Sequence, residues 1–300
     1  MLPTFFVINP RSGNGNLRKL IPLIRTRFES GGIPFDIHIT QSPGDATRAA
    51  RQASERFPVV VAVGGDGTVN EVVNGLVESA GMLGVLPVGS GNDFSKAIGL
   101  PGRLADCLEI IAVHKQKTID LGYISAVTSS MEKKSAHFIN SAGIGLDALV
   151  AHEARKISWI RGVGKYAVAA SRVLFRFTPG DSTLRSEEFA SSGSHLLISV
   201  GNGQSSGGGF YLTPDALLDD GLFDVCVAKD VSLIDILKIF PFVFAGKHVR
   251  FRQISMNRTK RLVVKSESNL PAHMDGEILG LDLREVEVKI IPGGMKVIVP

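Results

Sequence analysis

The chain has 300 residues, of which 44% are hydrophobic and 21% are charged, so it can form one large or two ordinary domains with a substantial core. Its two cysteines, Cys107 and Cys226, lie far apart, which excludes a disulfide framework and a cysteine-rich zinc site and indicates a reducing compartment. The formal net charge of +4 does not demand nucleic acid as a partner, and no apolar run is long enough to span a membrane.

The first 122 residues alternate between two patterns. Apolar runs predict strands at residues 4–8, 34–39, 59–63 and 83–88. Helical spacing of apolar residues predicts helices at 17–28, 45–56, 68–77, 93–98 and 103–113. We expect Pro22 to kink or restart the first helix, Asp45 to cap the second, and Thr68 with Glu71 to form a capping box at the third. The alternation predicts a parallel sheet with helices on both faces.

After about residue 122 the pattern changes to short strand-like runs. These predict strands at 137–142, 195–201, 222–228, 250–256, 260–265, 284–290 and 295–299. Helical spacing persists at 146–156, 164–176 and 232–244, and the Ser-rich segments 125–135 and 186–194 predict surface loops. The sequence therefore predicts an α/β domain over residues 1–122, followed by a mainly antiparallel β domain over 123–290.

Three glycine-rich turns follow predicted strands of the first domain. They read INPRSGNGN at 8–16, GGDGT at 64–68 and LPVGSGN at 86–92. Such turns present main-chain N–H groups where parallel strands end and helices begin, a position that favours anions. GGDGT is not a P-loop, because no Lys-Ser or Lys-Thr follows, and Asn70 replaces the third glycine of a dinucleotide fingerprint. Asp66 either stabilises the tight turn or shares Mg²⁺ with a phosphate.

The full series of these motifs resembles the diacylglycerol kinase catalytic domain family, which includes sphingosine kinases and bacterial YegS-type lipid kinases. The resemblance rests on GGDGT followed by Asn70-Glu71, GSGNDF at 89–94 and NPRSG at 9–13. Late segments at 201–225 and 273–279 extend it over essentially the whole chain. It implies a Rossmann-like parallel α/β nucleotide domain like that of NAD kinases, an antiparallel β-sandwich-like second domain, and a final segment, about 291–300, that packs on the first domain.

The resemblance also implies ATP as phosphoryl donor, Mg²⁺ as cofactor and a set of nucleotide-binding residues. These are Asn9, Ser12, Gly13, Thr40, Gly65, Asp66, Gly67, Thr68, Val69, Asn70, Glu71, Ser90 and Asp93. Asp120, in TIDLG, matches a supporting acid near the family's active site. The chain departs from the family at Asn14, where some relatives have Lys, and at Ser90, where many have Thr.

Two acidic segments of the second domain are candidates for chemistry and metal binding. Asp275 and Glu277 flank Gly276, which by itself indicates a hairpin with an Asp-Gly turn. The resemblance implies that Glu277 is the general base and Asp275 a metal ligand or supporting partner, with the two roles interchangeable. Residues 214–225 read as a solvated turn, but the resemblance implies a structural Mg²⁺ held by the Asp220 carboxylate and the carbonyls of Leu217 and Leu222.

Two long segments contain no acid. Residues 154–180 and 236–266 carry many Lys and Arg side chains, and aromatic residues lie between them. A solvated face is the simpler interpretation, but this pattern favours peripheral contact with an anionic membrane surface. No nucleic-acid-binding motif is present. The N-terminus lacks the features of a signal peptide, so we expect a cytoplasmic protein that associates peripherally with membranes.

Together these features predict an ATP- and Mg-dependent lipid kinase that transfers the γ-phosphoryl group of ATP to the hydroxyl of a diacylglycerol-like lipid. One alternative is a kinase of a soluble metabolite, such as an NAD kinase. Another is a non-catalytic protein that senses nucleotide or lipid, although the retained Asp66, Asp275 and Glu277 favour an enzyme. The sequence leaves open the identity of the lipid and the oligomeric state, including a homodimer.

Overall fold

The computed structural model describes residues 2–13, 17–157, 159–160, 163–174 and 177–300. Asn14 and two cations of the first acid-free segment, Arg161 and Arg176, lie outside the described residues. The chain forms two compact units. The first contains Met1–Ile119 and Gly293–Pro300, and the second contains Asp120–Pro292.

The first unit alternates strands and helices. Its elements are β1 (Thr4–Ile8), α1 (Leu17–Ser30), β2 (Phe35–Ile39), α2 (Asp45–Ala53), β3 (Val59–Gly64), α3 (Asp66–Leu76), β4 (Met82–Pro87), α4 (Asp93–Ala97) and α5 (Leu104–Val113). The four strands are parallel in the order β2-β1-β3-β4. This is the sheet that the alternating sequence pattern predicts.

The far edge of β4 is covered by a distant part of the chain. Lys296 and Val297 pair in parallel with Met82 and Leu83. Ile298 lies in the core of the first unit, with residues of β1 and β3. The last residues of the sequence therefore add a fifth strand to this parallel sheet.

Two predictions about helix starts in this unit are wrong. Asp45 is the first residue of α2 and Gly44 is the N-cap; the Asp45 carboxylate accepts the N–H of Gln41 at 2.9 Å. Thr68 and Glu71 form no capping box, because α3 already begins at Asp66 after Gly65. Glu71 Oε2 instead accepts the N–H groups of Gly44 at 3.1 Å and Ala46 at 3.2 Å, so it caps the neighbouring helix α2. Helix α1 runs through Pro22 without a restart.

The second unit is mainly antiparallel, and its first and last strands begin or end in the first unit. Its elements are β5 (Gln116–Thr128), β6 (Lys133–Phe138), β7 (Ser141–Gly145), α6 (Leu146–Lys156), α7 (Val163–Leu174), β8 (Asp181–Arg185), β9 (Ala190–Gly201), β10 (Phe223–Lys229), α8 (Leu233–Val243), β11 (Ile254–Thr259), β12 (Arg261–Met274) and β13 (Glu277–Ile298). Strands follow the order β11-β10-β9-β7-β12-β13. Additional pairings join β5 to β6 and β8 to β9. Inward side chains of these strands form one large core.

The predicted loop at 125–135 is wrong, because most of it is a β5–β6 hairpin. Ile124, Ala126 and Thr128 are buried, whereas the residues between them are only half-buried. This alternation of buried and half-buried residues is typical of a strand that is covered on one face, and it contains no continuous apolar run. The strands expected at 284–290 and 295–299 are parts of one long strand, β13, which contributes to both units. Within the described ranges, no helix combines the length and apolarity needed to cross a bilayer.

Candidate functional site

The three glycine loops of the first unit come together where β1, β3 and β4 end. Asn9, after β1, donates its side-chain amide to Thr68 Oγ1 at 3.0 Å. A Cβ added to Gly13 would lie 2.8 Å from the carbonyl oxygen of Val88, so the first loop also touches the segment after β4. The three loops therefore converge at one edge of the parallel sheet.

The backbones of the second and third loops touch without intervening side chains. A Cβ added to Gly89 would lie 2.4 Å from Gly65 Cα, a separation that real Cβ atoms do not reach. A Cβ on Gly64 would lie 2.2 Å from Thr68 Oγ1. Glycine is required at these positions because other backbone or side-chain atoms occupy the space of a Cβ.

Asp66 joins the second loop to the third. Its Oδ2 accepts the N–H of Asn92 at 2.9 Å, and Oδ1 lies 3.4 Å from the N–H of Phe94, at the start of α4. Asn92 has a φ of 56°, in the left-handed region that Asn tolerates better than most residues. The turn-stabilising role considered for Asp66 is therefore realised.

The other first-unit candidates lie around this junction. Thr40, at the end of β2, donates its N–H to the Ile8 carbonyl at 2.9 Å. Gly67, Val69 and Asn70 lie in α3, where the last two are buried. Ser12 is half-buried and Ser90 exposed in their loops. Asp93 is buried at the start of α4, with its Oδ1 3.8 Å from Lys96 Nζ.

In the second unit, Asp275 and Glu277 belong to a tight hairpin between β12 and β13. Met274 pairs with Glu277, so Asp275 and Gly276 form a two-residue turn. Their φ angles are 47° and 81°. Positive φ at both central residues is the mark of a type I′ turn, for which Asp-Gly is a preferred pair. The hairpin indicated by the sequence is confirmed.

The Asp275 carboxylate is bound by three consecutive main-chain N–H groups. Oδ2 accepts from Ile139 at 2.9 Å, and Oδ1 accepts from Asn140 at 3.0 Å and Ser141 at 2.9 Å. The Asp275 N–H returns a hydrogen bond to the Ser141 carbonyl at 2.8 Å. Hydrogen bonds to an ionised acceptor are strong, so this residue anchors the turn to the start of β7.

Glu277 lies in a different environment. Its Oε2 accepts a hydrogen bond from Arg155 Nη1 at 2.5 Å, and both side chains are about half exposed. An exposed ion pair contributes little to stability. The Glu277 carboxylate is therefore open to solvent and free to meet a ligand, whereas that of Asp275 is built into the fold.

Sequence reasoning missed a buried pair behind this turn. His273 is 1% exposed, and its Nδ1 accepts the N–H of Gly276 at 3.2 Å, which places the ring proton on Nε2. That Nε2 lies 3.3 Å from Asp147 Oδ2 at the start of α6. The His273 ring fits here because residue 143 is a glycine: a Cβ at Gly143 would lie 2.4 Å from His273 Nε2. In the sequence, the only indication of this His273–Asp147 pair is that His273 lies two residues before the candidate acid Asp275.

Asp120 lies with the acidic turn at 214–225. Its N–H donates to the Leu218 carbonyl at 2.7 Å, and its Oδ2 accepts the N–H of Gly221 at 2.7 Å. Asp220 forms an ion pair with Arg258 and accepts the N–H of Leu222 at 3.1 Å. Burial is the main cause that raises the pKa of the Asp224 carboxyl; Arg258 opposes it, and Asp220 raises the pKa further.

The close approach of the glycine loops predicts a specific loss of stability. Replacing Gly89 with Ala forces the two loops apart, because the new methyl group meets the Gly65 backbone rather than a flexible side chain. We expect a cost of about 1–3 kcal/mol, measured by thermal or urea unfolding. Gly102→Ala is the matched control, since its added Cβ has no neighbour within 4 Å. Equal stability of the two variants would contradict the contact.

The hydrogen bonds of Asp275 predict a second effect. Asp275→Asn replaces one acceptor oxygen with an NH₂ group that faces a main-chain donor, so we expect a loss of about 2 kcal/mol. A domain of this size should then melt about 4–8 °C lower. Asp282→Asn, at a half-buried residue whose carboxylate accepts a hydrogen bond from Ser129, is the control. An unchanged melting temperature for Asp275→Asn would show that the turn is not anchored in this way.

Comparison with known proteins assigns both parts of the chain to one kind of enzyme. Residues 3–124 match the family model described as the diacylglycerol kinase catalytic domain. Residues 140–299 match the YegS C-terminal NAD kinase beta sandwich-like domain. The fold prediction is thus confirmed at the level of two domains, the second of which is like the β-sandwich of NAD kinases.

Relatives and solved structures agree with this assignment. A diacylglycerol kinase of Bacillus subtilis is 30% identical over 92% of this chain and 89% of its own length. One from Staphylococcus aureus is 30% identical over 91% of this chain and 85% of its own.

The fold is shared with a diacylglycerol kinase crystal structure from Bacillus anthracis, at a TM-score of 0.73 and 21% identity over 99% of this chain and 97% of the other. Yeast NADH kinase shares it more distantly, at a TM-score of 0.55 and 11% identity over 100% and 84% of the two chains. Sequence motifs, matched domains and relatives agree, and the chain belongs to the diacylglycerol kinase catalytic domain family, as a YegS-type lipid kinase.

Proposed function

We propose that this lipid kinase transfers the γ-phosphoryl group of ATP to the hydroxyl of a diacylglycerol-like lipid, with Mg²⁺ as cofactor. The observation that carries the proposal is the contact between Gly65 and Gly89, which brings two glycine loops together beside the start of α3. Helix N-termini and bare backbone favour phosphate. The relatives named diacylglycerol kinase support the choice of acceptor.

The nucleotide half of the reaction is assigned to the first unit. In this proposal the phosphates bind along Gly65–Glu71, with Ser12, Gly13 and Ser90 contributing from the flanking loops. Asn9 positions Thr68 through their 3.0 Å hydrogen bond. Thr40, at the end of β2, contacts the nucleotide, and Glu71 acts by holding the start of α2, where its carboxylate is already bound. Asp93 and its neighbour Lys96 add one negative and one positive charge nearby.

Asp66 fits a cation that accompanies the triphosphate. Its carboxylate lies at the junction of two loops, where its oxygens accept the N–H groups of Asn92 and Phe94, and a carboxylate oxygen can bind a cation as well as a donor. Mg²⁺ prefers such oxygen ligands together with phosphate, and when bound it neutralises the charge that develops during phosphoryl transfer. In this proposal Asp66 both fixes α4 and provides one ligand to that ion.

The acceptor hydroxyl needs a group that takes its proton. We assign that role to Glu277, because its carboxylate is half exposed and only one oxygen is engaged, by Arg155. Asp275 is the poorer base, since three N–H groups stabilise its ionised form and hold it in the fold. As the lipid oxygen bonds to the γ-phosphorus, its proton passes to Glu277 and ADP leaves. Asp275, His273 and Asp147 hold the turn in position.

A radiolabelled-ATP assay tests the proposal. Wild type should label diacylglycerol within a panel of lipids in mixed micelles, and not NAD. Glu277→Gln keeps the size of the side chain but cannot readily accept a proton, so kcat should fall about 10²–10⁴-fold. Its melting temperature and nucleotide affinity should stay near those of wild type, because the side chain is exposed.

The same assay has two contrary outcomes. Label in NAD and in no lipid would replace the lipid kinase assignment with the metabolite kinase. Full kcat for Glu277→Gln would remove the base from this position. Asp275→Asn separates the two acids, since any loss of its activity should be accompanied by the fall in melting temperature that Glu277→Gln lacks.

The acidic turn is proposed to hold a structural Mg²⁺ through Asp220 and the carbonyls of Leu217 and Leu222. The described carboxylates of this turn are more numerous than the basic side chains that contact them. Asp220 and Asp224 both lie beside Arg258, and Asp215 also acts on Asp224. This excess of carboxylates favours a hard cation. No cluster of three or more His, Cys, Asp or Glu side chains in the described ranges is arranged as a complete metal site, so carbonyl and water ligands are needed.

Melting temperature measures this site independently of activity. Mg²⁺ should raise the melting temperature of wild type over that in chelator, since a ligand of the folded state stabilises it. Asp220→Ala should abolish the response, whereas Asp106→Ala, an exposed acid in the first unit, should leave it intact. The same response to Mg²⁺ in both variants would eliminate the proposed site.

A further inference from the structure

Helix α8, at Leu233–Val243 in the second unit, is apolar on a face that no other described element covers. Ile239 and Val243 point inward, where they pack with Leu212. Leu233, Ile234 and Leu237 lie on the opposite side, and Ile234 and Leu237 are 64% and 66% exposed. Phe242 and Phe244 at the end of the helix are also exposed. A helix that is apolar all round normally lies inside a protein, so this surface needs an apolar partner.

The exposed residues form a continuous stripe. At 100° per residue, Leu233, Leu237 and Pro241 follow one another along the helix, with Ile234 directly beside them. Lys238 lies next to the stripe and is exposed. The helix is rigidly held: Ser232 and Asp235 form a capping box at its start, and Phe240 packs on Phe210 with ring centroids 5.8 Å apart. The stripe is a stable feature of the fold.

The charges around the stripe identify its partner. Exposed cations follow the helix at Lys247, Arg250 and Arg252. No acid occurs between Ile236 and Ser266. The nearest helix acid, Asp235, is turned back to the cap, where its Oδ2 accepts the Ser232 N–H at 3.1 Å. An apolar stripe with one exposed cation beside it and three more in the segment that follows fits a bilayer with anionic headgroups, in which the side chains enter the acyl boundary and the cations meet phosphate.

We infer that α8, with Phe242 and Phe244, is the surface by which this kinase inserts into an anionic membrane. The inference rests on the proposed function, because a bilayer is where a diacylglycerol-like substrate resides. It names the surface that holds the enzyme there. A second copy of the chain is the rival occupant, but the cations beside and after the stripe would repel one another across a symmetric contact.

Vesicle sedimentation of the full chain tests the inference. Wild type should bind vesicles of phosphatidylcholine that contain phosphatidylglycerol, and it should bind vesicles of phosphatidylcholine alone much more weakly. The double variant Ile234→Gln, Leu237→Gln should bind at least about tenfold more weakly, since each buried aliphatic side chain contributes roughly that factor. Lys247→Gln with Arg250→Gln should weaken binding and reduce its dependence on salt. Met131→Gln, a similarly exposed residue of this unit, is the control and should bind like wild type.

Three further readouts make the result decisive. Melting temperatures should be unchanged, because the altered side chains are exposed. With a short-chain, water-soluble diacylglycerol and no vesicles, the α8 variant should keep the kcat of wild type. If wild type is inactive in this assay but still binds vesicles, the proposed function is refuted and the membrane surface is not. Unchanged vesicle binding by the α8 variant would overturn the inference. So would a wild-type dimer, detected by light scattering without lipid, that the same substitutions dissociate.

Discussion

The architecture of the first unit depends on one close contact, between the backbones of Gly65 and Gly89. Adjacent parallel strands end about 4.8 Å apart, and the chain leaving each must turn at once into a helix. A side chain at either glycine would separate the two turns. Because they touch, the Asp66 carboxylate can reach the first N–H groups of α4, and Asn9 can reach Thr68 from the first loop. The loops therefore form a single unit of structure.

Much of this arrangement could be predicted because it depends on local chemistry. Runs of β-branched residues specify buried parallel strands, and glycines mark where those strands end. The roles of Glu71 and Asp275 could not be predicted in the same way. Their partners lie 25–27 and 134–136 residues away in sequence. Local reasoning assigned Glu71 to its own helix, since a Thr three residues earlier satisfies the pattern of a capping box.

In the second unit, too, local sequence patterns did not predict some of the structure. Segment 125–135 looked like a loop because serine and lysine are common there, yet its residues alternate across a hairpin. Composition is a poor guide when one face of a strand is polar and the other contributes only small side chains to the core. The apolar stripe of α8 was missed for the opposite reason. Its pattern is that of an ordinary buried helix, and only the structure shows which of its residues are uncovered.

The acidic hairpin places the carboxylates of Asp275 and Glu277 in different environments. Several main-chain donors keep a carboxylate ionised and fixed, whereas a half-exposed carboxylate in a single ion pair is held much less firmly. Asp275 has the first environment and Glu277 the second, although they are separated only by Gly276. His273 supports the same turn from beneath through the Gly276 N–H. The type I′ turn thus places two identical functional groups in unlike surroundings.

The strand that completes the first sheet has a consequence for biosynthesis. Residues 1–119 emerge from the ribosome long before Lys296 and Val297, which cover the far edge of β4. Until residues 293–298 have been translated, β4 has one unpaired edge, and unpaired edges template association with other chains. The second unit is continuous in sequence and is complete once Pro292 has been translated. A translational pause or premature stop just after this residue would therefore leave the first unit, rather than the second, as the aggregation-prone part.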